Sequence, residues 1–421
     1  MTLRTHKATK RQPFFGWRIL ILASITAALT GPGQTIGVSV FVDHFIADLG
    51  ISRSQVSTAY LIGTLVAALG LPLIGRRIDR VGARRAMMAI GLAFGVALIG
   101  MAGVRGLVAL TIGFFAIRLT GQGALSLVST VAVTHWFDRK RGTALGIFST
   151  AMAVLMSLVP VGLNLIIEAY SWQVAWIASG VLIWVVVIPI ARFGIIDHPS
   201  DVGQYPDGID PTNGAESASV SVRGLDRREA MRTARFWIVV SASGAVGMLS
   251  TALNFHQISM LGEAGLTSTE AAVMFLPQVV GAAVAGLFFG FLADRLTGRS
   301  LIPIVMALLA ISLGLTLALA PGATVILYAI SLGAAGGASR TVTATLLPRW
   351  YGVTHIGAIQ GSASLLTVGS TAIGPVLFSL TRDLTGGYGN AAVLLAVIPI
   401  GIGVIATTLK PHAVETAAQT K

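Results

Sequence analysis

The stretch "GRRIDRVGARR", residues 75–85, sets five arginines and one aspartate between two long apolar runs, in a chain that is 54% hydrophobic and only 11% charged. The runs on either side decide the fold. Crossing ~30 Å of hydrocarbon as a helix takes about 20 apolar residues, because lipid cannot pair a free backbone N–H or C=O. Outward from 75–85, such runs fall at 17–42, 56–78, 86–104, 107–135, 143–167 and 174–193, then at 236–262, 269–293, 300–319, 323–347, 357–381 and 389–409. With a mean hydropathy of +0.81, the twelve stretches predict an all-α integral membrane protein rather than a set of soluble domains.

The net charge of +12 is distributed over alternate connections and forms no single basic patch, so no nucleic-acid partner is expected. Of the 29 Lys and Arg, only Arg53, Arg105 and Arg382 fall on one side of the predicted membrane, and Arg118 and Arg340 lie within spans. By the positive-inside rule this asymmetry places both termini in the cytoplasm. The compact loops suit a multi-pass protein of a bacterial inner membrane, and a monomer is expected. The basic start, residues 1–18, precedes an apolar run with no small-residue cleavage pattern, which reads as a retained first helix. With no cysteine, disulfides and thiolate metal sites are excluded. No metal cluster, cofactor motif, phosphate-binding Gly-rich loop or catalytic triad stands out, so neither an enzyme nor an ATP-driven pump is expected.

One polar interruption, 194–235, divides six spans from six, giving bundles at 1–193 and 236–421 joined by a cytoplasmic linker. The two sides repeat at an offset of about 215 residues. "GRRIDRVGARR" answers "GFLADRLTGRS" at 290–300, which sets Asp79 against Asp294 and Arg80 against Arg295. "HWFDRKRGTALG", from His135, answers "RWYGVTHIGAIQG", from Arg349. Such a parallel repeat is a mark of transporter folds.

Gly75, Asp79, Arg80, Gly82, Arg84 and Arg85 match the Gly-x-x-x-Asp-Arg-x-Gly-x-Arg-Arg signature of the major facilitator superfamily, and the chain resembles that family over its whole length. "WFDRKRGTALGI" and "FGWR" are similar to the monocarboxylate porter and oxalate/formate antiporter branch. The resemblance implies two pseudo-symmetric six-helix bundles that rock about a midplane site. It also makes the loops at 75–85 and 290–300 gates between the bundles, with Gly75, Asp79, Arg80, Gly82, Arg84, Asp294 and Arg295 as gating residues. The alternative for the arginines is that they only anchor topology.

Polar residues inside spans mark a candidate site. Arg118, Gln122, Ser126 and Ser129 form a stripe on the fourth span, Ser243, Gly247, Ser250, Asn254 and Gln257 one on the seventh, and Gln360, Ser364, Thr367 and Thr371 one on the eleventh. Gln34 and Gln278 add to them. No Asp or Glu occupies the middle of a span, so two unbalanced intramembrane arginines suggest an anionic substrate, for which a guanidinium is a bidentate partner. Arg118 is the expected principal contact, with Gln34, Gln122, Asn254, Gln257, Gln278 and Arg340 around it. The alternatives are a structural role for Arg118, bonded to backbone, which the resemblance of "RLTGQG" to an Arg-x-x-x-Gly motif in the fourth helix of several superfamily branches implies, and snorkelling of Arg340.

For a co-transported proton, His256 and then His44 are the candidates. The branch commonly has a basic residue in the eighth span, where this chain has only Gln278 as a central polar group. The reading is a secondary active transporter of a small organic anion, a monocarboxylate, by symport or exchange. The alternative is an efflux transporter of neutral or lipophilic compounds.

Overall fold

The computed structural model describes residues 14–138, 140–209, 225–352 and 356–409, apart from the side chains of Pro72, Asp79, Arg141, Gly142, Asp294, Gly357 and Ala358. Among these residues there are helices and turns and no strand. Eleven helices are long and apolar enough to cross a membrane, and a shorter apolar helix, Gly16–Ala28, begins the first crossing. In chain order we call the crossings α1 (Gly16–Ala28 and its continuation to residue 49), α2 (Arg53–Val81), α3 (Ala83–Met101), α4 (Leu107–Trp136), α5 (Thr143–Ala169) and α6 (Trp172–Gly194). The second set is α7 (Ala234–Glu263), α8 (Ser268–Ala293), α9 (Gly298–Leu315), α10 (Ala323–Tyr351), α11 (Ile356–Thr385) and α12 (Tyr388–Thr407).

The eleven long helices lie within a few residues of the expected spans; the first departs from expectation. The run expected to be continuous over 17–42 breaks after Ala28, at "TGPGQ", where Gly31–Gly33 form a short 3-10 turn. Pro32 supplies no N–H, and the flanking glycines favour irregular backbone. The chain resumes as Thr35–Val38 and then Val42–Leu49.

Polar residues at the helix ends explain where several crossings start. Ser52 and Gln55 cap α2 reciprocally, as Thr267 and Glu270 cap α8, while Thr233 accepts from Phe236 N at the start of α7. Each such cap contributes about 1 kcal/mol. The turn from α2 to α3 needs Gly82, whose φ of 85° is a conformation that side chains disfavour.

Helix contacts order the layers. α3 packs on α6 and α9 on α12, and these pairs leave Leu92, Val96, Leu182 and Val185, and Ile311, Val397, Ile400 and Val404, exposed to lipid. α8 and α10 approach through small residues: a Cβ on Gly333 would stand 1.9 Å from Gln278 O, closer than any side chain can lie. Between the first six crossings and the last six, α2 meets α11 and α5 meets α8.

One end of the molecule is sewn shut across these halves. Arg53 and Ser259 both bond Asp43 Oδ1, at 2.5 Å and 2.7 Å. Ser54 bonds Asp383, Thr269 bonds Glu168, and the Tyr60 and Phe255 rings lie 4.7 Å apart. At the other end, which carries the linker, the named bonds run within each half. Arg84 N donates to Asp197 Oδ1 at 2.7 Å, and Arg349 Nη1 donates to Ala293 O at 2.9 Å.

Candidate functional site

A cavity of about 540 Å³ lies among α7, α10 and α11. Its lining is taken from residues 243–254, 336–347 and 360–368, which on each helix lie on the linker side of the sealed seam. The cavity therefore lies on the linker side of that seam. Ser243, Gly247, Ser250 and Asn254 bring one expected polar stripe to the wall, and Gln360, Ser364 and Thr367 bring another. Across the wall Ser243 and Thr343 share a hydrogen bond of 2.6 Å.

Arg340 is the charged residue of this wall; no acidic side chain lines it among the described residues. As a residue Arg340 is exposed, and it has no ion-pair partner among the described residues. Along α10 it stands roughly 16 Å from the linker end, at 1.5 Å per residue. At that depth an arginine costs about 2.5 to 3.5 kcal/mol on insertion scales, a cost that a water-filled cavity lowers. The small residues "GAAGGAS", 333–339, before it let α10 approach α8 and leave room beside Arg340.

The structure separates Arg118 from this cavity. Arg118 is 4% exposed, its Nη1 reaches Gly33 O at 3.3 Å, and its guanidinium lies over the Tyr60 ring at 4.8 Å. It thus ties the broken part of α1 to α4, beneath the Tyr60–Phe255 contact that closes the seam. The stripe expected on α4 is rotated by a π turn, Arg118–Leu125, which takes more residues per turn than the 3.6 on which a four-residue spacing rests. Gln122 Oε1 and Ser126 Oγ are buried without a hydrogen bond, whereas Ser129 bonds Leu125 O.

The remaining expected residues fall in four other places. Gln278 Nε2 donates to Gln257 Oε1 at 2.5 Å, and Gln257 Nε2 donates to Ala271 O. This buried pair braces α7 against α8 and does not line the cavity. Gln34 bonds Thr30 in the irregular segment of α1.

His256 is fully buried among Phe255, Phe378 and Tyr388, with Nε2 against Pro375 O at 3.1 Å. Pro375 removes one backbone hydrogen bond from α11, yet the helix runs unbroken through it. His44 is half-buried beside Asp43 at the sealed end.

Of the expected gating residues, Gly75 lies within α2, Arg80 is exposed at its end, and Arg295 lies over the Phe291 ring at 4.2 Å. Asp79 and Asp294 sit on helices, and their side chains lie outside the described residues. Gly82 and Arg84 meet Asp197, at the start of the linker. Sequence reasoning passed over Asp197, Tyr60 and the Asp43–Arg53–Ser259 cluster. Asp43 and Arg53 stood in the sequence as charges flanking a short connection, yet Ser259 is 216 residues from Asp43, and nothing local announces that pairing.

Comparisons with known proteins agree with this fold. Residues 20–279 match the Major Facilitator Superfamily. Monocarboxylate transporter 13 of Rattus norvegicus is 22% identical, over 97% of this chain and 91% of its own length. The oxalate:formate antiporter of Oxalobacter formigenes is also 22% identical, over 71% of this chain and 68% of its own. The crystal structure of a bacterial homolog of the human lysosomal transporter Spinster, in an inward-facing conformation, superposes with a TM-score of 0.71 at 16% identity, covering 98% of both chains.

Proposed function

The chain belongs to the Major Facilitator Superfamily and is a multi-pass membrane transporter rather than an enzyme; from that premise we propose that it carries a small organic anion, a monocarboxylate, by alternating access. One observation carries the substrate class: Arg340 faces a cavity whose described lining holds no carboxylate. A cation would meet unbalanced positive charge in a low-dielectric wall, whereas a carboxylate would gain a bidentate partner. Val246, Ala344, Leu347, Ala363 and Val368 add apolar surface beside it, which suits an acid with an apolar body. The names of the monocarboxylate and oxalate:formate relatives support the same class.

In this reading the bundles at 1–193 and 236–421 rock about the cavity, and the linker end is cytoplasmic, as the charge asymmetry implies. The seam at Asp43, Ser54 and Glu168 is then the outer gate, closed here, and the helix ends and turns at 75–85 and 290–300 close when the seam parts. Arg340, Asn254 and the Ser243–Thr343 pair contact substrate. Arg118 acts as a strut between α1 and α4.

Uptake into proteoliposomes of labelled lactate, pyruvate, oxalate and an aromatic acid, with and without an inward proton gradient, tests the proposal. Uptake or counterflow of at least one acid is expected, and its response to the gradient distinguishes symport from exchange. Failure with every acid, alongside transport of a neutral lipophilic compound, would replace this reading with the exporter.

A further inference from the structure

We propose that a basic notch at the linker end, between the ends of α2, α3 and α6, binds the headgroup of an anionic phospholipid. The notch is a cavity of about 560 Å³ lined by Val81, Arg84, Arg85, Met88, Arg192 and Asp197. It holds three guanidinium groups and one carboxylate.

That carboxylate is already engaged. Asp197 Oδ1 accepts from Arg84 N, and Arg84 Nη2 is itself held by Arg192 O at 2.5 Å. Arg85 and Arg192 are exposed, and Arg192 lies over the Phe193 ring at 5.5 Å. Two guanidinium groups, one on α3 and one on α6, are therefore left to meet an anion in the notch.

The position of the notch selects the anion. Directly along the same helix pair, toward the middle of the membrane, Leu92, Val96 and Val185 are exposed, and Phe193 is 76% exposed at the notch itself. A phosphate diester seated on Arg85 and Arg192 would extend its acyl chains down this apolar face. Inorganic phosphate would use only the charges. Basic pockets between transmembrane helices at the headgroup level have this chemistry.

The second half of the chain shows that the fold does not require such a notch. The internal repeat sets Arg299, Ser300 and Thr407 where the first half has Arg84, Arg85 and Arg192. One arginine remains of three, so the cluster is a feature of one face and not of the architecture. Arg192 has no part in the transport reading above, and although Arg85 lies in the 75–85 segment that closes in it, lipid retention is measured without transport, so the lipid site would survive failure of that reading.

The full-length chain, reconstituted in nanodiscs of phosphatidylcholine with a minor fraction of phosphatidylglycerol, provides the test, with bound lipid counted by native mass spectrometry. The wild type is expected to retain phosphatidylglycerol in preference to phosphatidylcholine. Arg85→Gln/Arg192→Gln should reduce that preference by about fivefold per arginine. The charge-matched Arg295→Gln/Arg299→Gln should leave it unchanged. Equal retention by wild type and Arg85→Gln/Arg192→Gln would overturn the proposal, as would equal loss in both double variants, which would indicate diffuse surface charge. Displacement of the lipid by millimolar inorganic phosphate would overturn it in favour of a free-anion site.

Discussion

Ser54 of α2 donates to Asp383 of α11 at 2.5 Å, although 329 residues separate them in the chain. This bond crosses the seam between the first six helices and the last six, and it can exist only while that end is closed. The chain has no cysteine, so Ser54→Cys/Asp383→Cys introduces the only thiols. We predict that the pair forms a disulfide under mild oxidation, that transport stops, and that a reductant restores it. Free transport with the disulfide formed would show that this end does not open in the cycle.

Arg118 and Arg340 should fail differently. Arg118 is sealed under Tyr60 and bonded to Gly33 O, so Arg118→Gln should lower the maximal rate while leaving KM within about twofold, the signature of a residue outside ground-state binding. A large rise in KM with an unchanged rate would return Arg118 to the substrate.

Gln257 and Gln278 form a buried pair, and truncation of one leaves the other with an unmet polar atom. Gln278→Ala should destabilise the protein by about 1–3 kcal/mol, read as a lower Tm in a thermal-shift assay, with KM unchanged. A KM effect without a stability effect would contradict the bracing role.

His256 touches Pro375 O and three aromatic rings and does not line the cavity. His256→Gln, which keeps a donor for the carbonyl, should therefore leave the pH dependence of uptake unaltered. A pH profile flattened by this substitution, at wild-type expression, would make His256 the coupling group.

The span pattern was legible in the sequence because lipid imposes one rule on every crossing: roughly 20 apolar residues, all backbone groups paired within the helix. The polar faces of α7 and α11 were equally legible, since both helices keep the 3.6-residue period through the cavity region and Ser243, Gly247, Ser250 and Asn254 stay on one side. The face of α4 was not. The π turn at Arg118–Leu125 shifts its register, and a spacing rule built on regular helix misplaces every side chain beyond it.

Burial was also hidden. Arg118 and Arg340 look alike as lone arginines in apolar runs, and the ring of Tyr60 and the carbonyl of Gly33, 58 and 85 positions away in the sequence, distinguish the buried strut from the cavity-facing charge. The seam shows the same limit. Asp43, Ser54 and Glu168 are ordinary loop-flanking residues until a distant half of the chain supplies Ser259, Asp383 and Thr269.

The central claim, that Arg340 holds an anion in the cavity of α7, α10 and α11, is tested most directly by equilibrium binding of a labelled short monocarboxylate and its matched amide to the wild type and to Arg340→Gln. The account predicts that the wild type binds the acid and discriminates against the amide. A charge-assisted hydrogen bond contributes about 1.5–3 kcal/mol, so Arg340→Gln should lose roughly tenfold or more in affinity for the acid. Equal binding of acid and amide by the wild type, or undiminished binding of the acid by Arg340→Gln, would contradict it.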